Sequence, residues 1–174
     1  KKYFNLAASN FKTNRLSLEE NVEHLEELLI NSIKSHLISD VPIATTLSGG
    51  VDSSLLTALI KKFSNSEITS YSVLFDEDKI DGKIYNESSF IDRFSSLYNT
   101  KRKNIIFNSK KLSNIWNKLV WYNEDPVSLP NSGGIYLISK LSSSKHNVII
   151  GGEGADEVFA GYDTFKKKEI NILE

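Results

Sequence analysis

The sequence predicts a doubly wound α/β fold with a mainly parallel sheet. Two observations carry this expectation. Short apolar runs of strand length alternate with amphipathic runs of helical period, and strands separated by helices pair in parallel with both faces of the sheet covered. Two glycine-rich turns, SGGVDSS at 48–54 and GGEGADEVFAGY at 151–162, each follow a strand-like run and precede a helix-like one. In an open parallel sheet, ligands sit outside the carboxyl ends of the strands, so both turns stand where a ligand is expected.

Taken in order, 16–38 is a long amphipathic helix with Val22, Leu25, Leu29, Ile33 and Leu37 on one face. Ser17 and Glu20 have capping-box spacing at its start. Pro42 admits an extended entry into a strand at 43–47. A helix at 53–63 is expected to bury Leu55, Leu56, Leu59 and Ile60. A strand at 68–75 leads through the charged, glycine-bearing segment 76–85, read as a mobile loop, into a helix at 86–98 with Phe90, Ile91, Phe94 and Leu97 inward. A strand at 103–107 precedes a helix at 111–122, whose Trp116 and Trp121 are expected to pack it onto the sheet. Residues 123–134, with two prolines and two glycines, are expected to be irregular, followed by a helix at 135–142 and a strand at 147–150. No repeat or internal linker divides the chain, so 1–174 is read as one domain.

Composition excludes several classes. Of the 174 residues, 40% are apolar and 25% charged, as in ordinary globular proteins, and the net charge of −1 makes no bulk electrostatic case for nucleic acid. No cysteine is present, which removes disulfides, thiolate metal sites and cysteine nucleophiles and fits a reducing cytoplasm. No apolar run approaches the roughly 18 residues of a membrane span. His24, His36 and His146 lack metal-ligand spacing; the first two fall on the opening helix and the third in a loop. The chain opens on Lys1 rather than Met and is read as an excised piece of a longer protein.

The first turn is built to hold an anion. Gly49 and Gly50 allow positive φ and let backbone N–H groups approach a ligand with no Cβ in the way. Ser48, Ser53 and Ser54 add hydroxyls, and the N-terminus of the following helix adds partial positive charge. A Walker loop needs a lysine that is absent here. The turn carries Asp52 instead, and a carboxylate beside a phosphate is best reconciled by Mg²⁺ between them. A plain serine-capped strand-to-helix turn needs neither paired glycines nor an internal aspartate.

In the second turn, three glycines interleave with Glu153, Asp156 and Glu157, poor material for helix or strand. Asp156 is the second candidate Mg²⁺ ligand, and Glu153 is a candidate for orienting a substrate or handling a proton. The bland alternative is a solvated acidic loop.

SGGVDSS resembles the pyrophosphate-binding loop of the N-type ATP pyrophosphatases. With GGEGADEVFAGY it resembles the synthetase domain of the asparagine synthetase family. The likeness extends through HLISDVPIATTLSGGVDSSLLTALI, SYSVLFDE, NESSFIDRF, EDPVSLPN and the YLISK helix, and KKYFNL resembles the segment that follows the family's glutaminase domain. The resemblance implies a Rossmann-like fold of the adenine nucleotide alpha hydrolase type. It also implies a ligase that uses ATP and Mg²⁺ to adenylate a substrate carboxylate, releasing pyrophosphate, before ammonia attacks to give an amide. Residue by residue, it places Ser48, Gly49, Gly50, Asp52 and Ser53 on pyrophosphate, with Asp52 on Mg²⁺. Leu47 and Val73 would line the adenine pocket. Gly152, Glu153 and Asp156 would face the phosphates, the metal and the reacting carboxylate. A glutaminase domain upstream, a cytoplasmic location and a homodimer belong to the same expectation, with no nucleic-acid or membrane partner.

Several departures bear on the substrate. The glutaminase cysteine is absent, and the family's functional lysine lies beyond 174; Lys166, Lys167 and Lys168 stand too close behind the second turn for that role and read as a solvated basic stretch. The isolated fragment is therefore expected to be inactive. Pro130 stands where an aspartate-gripping arginine is expected, which opens sugar or peptide acceptors as alternatives to aspartate. Gly151 replaces the usual serine or threonine, losing one hydroxyl near the nucleotide. A non-catalytic nucleotide-binding module is the alternative from a different class.

Overall fold

A computed structural model describes residues 16–75, 79–80, 83–84, 87–126, 131–162 and 165. Its elements in chain order are α1 (Leu18–His36), β1 (Ile43–Thr46), α2 (Val51–Phe63), β2 (Thr69–Phe75), β3 (Lys79–Ile80), β4 (Lys83–Ile84), α3 (Ser88–Tyr98), β5 (Lys101–Phe107), α4 (Ser109–Asn123), α5 (Asn131–Ser142), β6 (Val148–Ile150) and α6 (Ala155–Phe159). Strands β5, β2, β1 and β6 lie in that spatial order, all parallel. The chain thus starts in the middle of the sheet, steps outward through β2 to β5, and returns to place β6 on the other side of β1. That reversal between β1 and β6 is the switch point of a doubly wound sheet, where a crevice opens past the strand ends.

Helices cover both faces. α2 contacts β1, α1 and α3, whereas α5 contacts β2, β5 and α4. On the α2 side the core gathers Ile33 of α1, Ile60 of α2 and Ile68, with Leu37, Leu56, Leu59 and Ile150 packed around them. Threonine and serine share this interior. Thr57 Oγ1 donates to Thr45 Oγ1 at 3.2 Å, Thr45 pairs with Ser70 Oγ at 3.0 Å, and Ser72 Oγ donates to the Leu47 carbonyl at 2.6 Å. Each buried hydroxyl in this set has a partner, so small polar groups fill space that a larger apolar side chain would overfill.

The expected capping box is present: Ser17 Oγ accepts from the Glu20 N–H at 3.1 Å, and the Ser17 N–H donates to Glu20 Oε2 at 2.7 Å. Other expectations need correction. On α1 only Ile33 is buried, while Val22 and Leu25 are exposed, because only the C-terminal part of the helix reaches α2's core. Leu55 of α2 is exposed, since the helix turns the Ser53, Thr57 and Ile60 stripe inward. Phe90 and Leu97 of α3 are exposed and Ile91 takes the buried position; Phe94 stacks on Tyr98 with centroids 4.5 Å apart. Trp121 is 79% exposed and Trp116 is also exposed, so α4 is seated by Leu119 rather than by its tryptophans.

Segment 123–134 is not wholly irregular, because α5 already starts at Asn131 and takes Gly133 and Gly134 into the helix. Gly133 allows a close approach, whereas a Cβ on Gly134 would make ordinary contact. A Cβ on Gly133 would lie 2.8 Å from Phe107 Cζ, and one on Gly134 would lie 3.4 Å from Val73 Cγ2. Within the segment read as a mobile loop, Lys79–Ile80 pairs antiparallel with Lys83–Ile84. The remainder of that loop, the KKYFNL opening, Pro130 and Lys166 to Lys168 lie outside the described residues.

Candidate functional site

Past the carboxyl ends of β1, β2 and β5 lies a cavity of about 410 Å³. The first glycine turn forms one wall. Gly49 sits at φ +96°, which only glycine adopts without strain, and a Cβ there would come within 3.1 Å of Glu87 Cβ. Gly50 differs from the expectation of a second positive φ: at φ −70° and ψ 165° it is the extended N-cap of α2. α2 therefore starts two residues earlier than expected, at Val51, and carries Asp52 and Ser53 in its first turn. The N–H groups of Val51, Asp52 and Ser53 precede the first intrahelical bond, from Ser54 to Gly50, as at the start of any helix.

The serines of this turn brace it. Ser53, nearly buried, accepts from the Ser48 N–H at 3.2 Å and donates to the Gly50 carbonyl at 3.3 Å. Ser48 Oγ lies 3.0 Å from Ser53 Oγ and accepts from the Gly50 N–H at 3.3 Å. The loop is held in shape before any anion arrives, which lowers the ordering cost of binding.

The second glycine turn closes onto the first. A Cβ on Gly152 would lie 3.2 Å from both Asp52 Cβ and the Ser53 nitrogen. Any other residue there would push the turns apart. Gly154, at φ +91°, caps the short α6, whose first turn carries Asp156 and Glu157. The carbonyl of Asp156 accepts the Gly161 N–H at 3.0 Å, folding the chain back so that a Cβ on Gly161 would lie 1.9 Å from Asp156 Oδ1. Tyr162 then donates its phenol proton to Glu157 Oε1 at 2.7 Å. That bond holds the Glu157 carboxyl below its ordinary range and, with the nearby charges of Glu157, Asp156 and Glu153, pushes the phenol up to about 12.

Of the residues singled out in the sequence, Leu47, Ser48, Gly50, Asp52, Ser53 and Val73 line the cavity, and so do Gly152, Glu153 and Asp156. Gly49 does not; it backs onto Glu87 and Ile91 and shapes the turn from behind. Asp52 and Asp156 face one cavity from its two turns, and both offer the hard oxygen donors that suit Mg²⁺. Among the described residues no three His, Cys, Asp or Glu side chains converge on a ready-made metal centre.

Sequence reasoning missed several lining residues. Glu87 stands at the N-cap of α3, beyond the β2 strand end, and the NESS run around it was a usable signal. Phe75 and Phe107, in edge-on contact with centroids 6.0 Å apart, and Ile135 and Ile138 of α5 give an apolar wall. Nothing in the linear pattern separates them from ordinary core residues.

The profile of the family described as asparagine synthase matches residues 24–173. Glutamine-hydrolyzing asparagine synthetase 1 of Bacillus subtilis is 28% identical over 159 residues, which are 91% of this chain and 24% of that protein. Amidase chyE of Penicillium rubens is 31% identical over 164 residues, 86% of this chain and 24% of that protein. The chain spans about a quarter of the length of these curated relatives. Among solved structures, a glutamine-dependent NAD+ synthetase from Acinetobacter baumannii in complex with ADP superposes with a TM-score of 0.53 at 15% identity, over 77% of this chain and 26% of that one. This last likeness concerns the fold, a parallel sheet with flanking helices.

Proposed function

The chain belongs to the asparagine synthase family, and from that premise we propose that it is the ATP-binding domain of an amide-forming carbon–nitrogen ligase. The observation that carries this reading is the meeting of the two turns, with Gly152 against Asp52 and Ser53 and a cavity open to both. In this reading ATP lays its β- and γ-phosphates on the N–H groups that open α2 and on the Ser48 to Ser53 turn, with its base against Leu47 and Val73. The substrate carboxylate attacks the α-phosphorus, the bond to the bridging oxygen breaks, and pyrophosphate leaves. Ammonia then adds to the acyl carbon, the acyl–oxygen bond breaks, and AMP departs. Glu153, which lines the cavity, would take the proton that ammonia sheds.

Asp52 and Asp156 are the residues that would hold Mg²⁺, together with phosphate oxygens. Bound there, the ion would offset the charge that builds on the departing pyrophosphate. The chain's own part is mostly positioning and electrostatics: fixed N–H donors, braced serines and a partly apolar cavity in which those dipoles act strongly. A glutaminase domain upstream, a cytoplasmic location and a homodimer remain proposals for the full-length protein. The first of these is supported by relatives named as glutamine-hydrolyzing.

A second reading concerns the acceptor. Pro130 stands in the sequence where an aspartate-gripping arginine is expected, which supports a sugar or peptide acceptor as the alternative to aspartate; one similar protein is named as an amidase.

ATP–pyrophosphate exchange by the full-length protein, with and without aspartate, tests both readings. Exchange that requires aspartate supports an asparagine-forming enzyme; exchange that requires another carboxylate supports the second reading. ATP binding with no exchange for any carboxylate would leave a non-catalytic module. Titration of Mg·ATP into the Asp52→Ala variant tests the metal assignment, which equal binding by variant and parent would remove.

A further inference from the structure

β1 carries two adjacent threonines that face opposite sides of the sheet. Thr45 points toward α2, where its hydroxyl is buried and bonded to both Thr57 and Ser70. Thr46 points into the cavity and is half-buried. Among the described residues no hydrogen-bond partner meets its hydroxyl. The parallel register that sets Thr45 against Ile150 brings Gly151, the next residue, alongside Thr46. A Cβ at Gly151 would lie 2.9 Å from Thr46 Oγ1, closer than real Cβ contacts come. The Thr46 hydroxyl and a Cβ at 151 therefore cannot both keep these positions; one of them must shift.

The family resemblance implies that glycine at 151 costs the site a hydroxyl. In the fold, the hydroxyl of Thr46 stands 2.9 Å from the point where that missing side chain would begin. We propose that Thr46 is a nucleotide-contacting residue whose hydroxyl bonds ATP, and that Gly151 is bare to leave it room. Thr46 immediately precedes Leu47 and the Ser48 turn and pairs in register with Tyr71, two residues before Val73. This lies between the pyrophosphate turn and the proposed adenine wall, so the partner falls on the ribose or α-phosphate segment of the nucleotide. A hydroxyl in a cavity is hydrated until a ligand displaces its water, and the ligand must then offer a bond in exchange. The proposal rests on the ATP reading above.

The test is isothermal titration of Mg·ATP into the full-length protein and its variants, with a melting curve for each. Thr46→Val keeps the shape and removes the hydroxyl; it is expected to weaken ATP about tenfold with an unchanged melting midpoint. Thr46→Ser is expected to recover most of the affinity. A Thr46→Ala, Gly151→Ser double variant, which returns a hydroxyl from the neighbouring strand, is expected to bind more tightly than Thr46→Ala alone. Unaltered binding by Thr46→Val, or a loss seen only in step with a lowered midpoint, would overturn the proposal. Failure of the parent protein itself to bind ATP would instead remove the underlying reading, a distinguishable result.

Discussion

The phenol oxygen of Tyr71 lies 2.9 Å from Nδ1 of His146, joining residues 75 positions apart where α5 runs back toward β6. Tyr71 is fully buried and also lines the cavity, so this bond anchors part of the cavity wall. Burial raises the phenol pKa, so Tyr71 keeps its proton and donates it to Nδ1 when the neutral imidazole carries its own proton on Nε2. Burial, with Lys103 and Lys145 nearby, holds the imidazole below its ordinary value of 6.5. In the unfolded chain His146 gains its proton near that ordinary value, whereas the folded chain resists until lower pH. Stability from this group is therefore complete above 6.5 and is lost as pH falls toward the depressed folded value. Melting midpoints measured from pH 7.5 down to 5 should show this fall in the parent and a shallower one in His146→Gln. Parallel profiles would refute the assignment.

Asp156 is exposed to a sharp steric test through Gly161. An added methyl would sit 1.9 Å from Asp156 Oδ1, so Gly161→Ala must displace the carboxylate. Gly161 is not among the positive-φ glycines, so the backbone tolerates alanine. The expected outcome is Mg·ATP binding weakened on the order of tenfold, about 1.4 kcal/mol, with a melting midpoint close to the parent's. Full affinity in this variant would mean that Asp156 does not hold the metal.

The fold was legible in the sequence because its signals are periodic and local. The Ser17 and Glu20 spacing, the apolar strand at 43–47 and both glycine turns all act within a few residues, and each of these features is where the pattern put it. The pairing of the turns into one cavity followed from their placement at strand ends. What stayed hidden depends on tertiary neighbours. Thr45, Thr57, Ser70 and Ser72 are buried because they pair with one another, which a hydropathy pattern scores as surface. Gly133 and Gly134 look like helix breakers, yet at Gly133 the ring of Phe107 leaves no room for a Cβ. The outward faces of α1 and α3, with Val22, Phe90 and Leu97, look identical in pattern to inward ones.

Glu157 and Tyr162 form a pair at the cavity mouth whose linkage can be read by titration. The hydrogen bond to Glu157 moves the phenol from its ordinary 10.0 up to about 12. Ring resonances of Tyr162, assigned through Tyr162→Phe, should move last as pH is raised, and in Glu157→Gln they should move nearer the ordinary value. Because the folded pKa is raised, the bond's contribution is fully present below pH 10 and is lost as pH rises through the folded value of about 12. Titration of Tyr162 at the ordinary value in the parent would show that the bond does not form in solution.

Ile60 and Trp121 separate buried from merely large. Ile60 is fully buried and packs with Ile33 and Ile68, so Ile60→Ala removes its transfer energy and leaves a cavity among Leu37, Leu56, Leu59 and Ile150. A loss of about 3 kcal/mol is expected from chemical denaturation. Trp121 is the larger side chain, and the sequence placed it on the sheet, but at 79% exposure it has little to lose. Trp121→Ala should cost under about 0.5 kcal/mol, as surface substitutions do. A reversed ranking would mean that α4 is seated by its tryptophans after all.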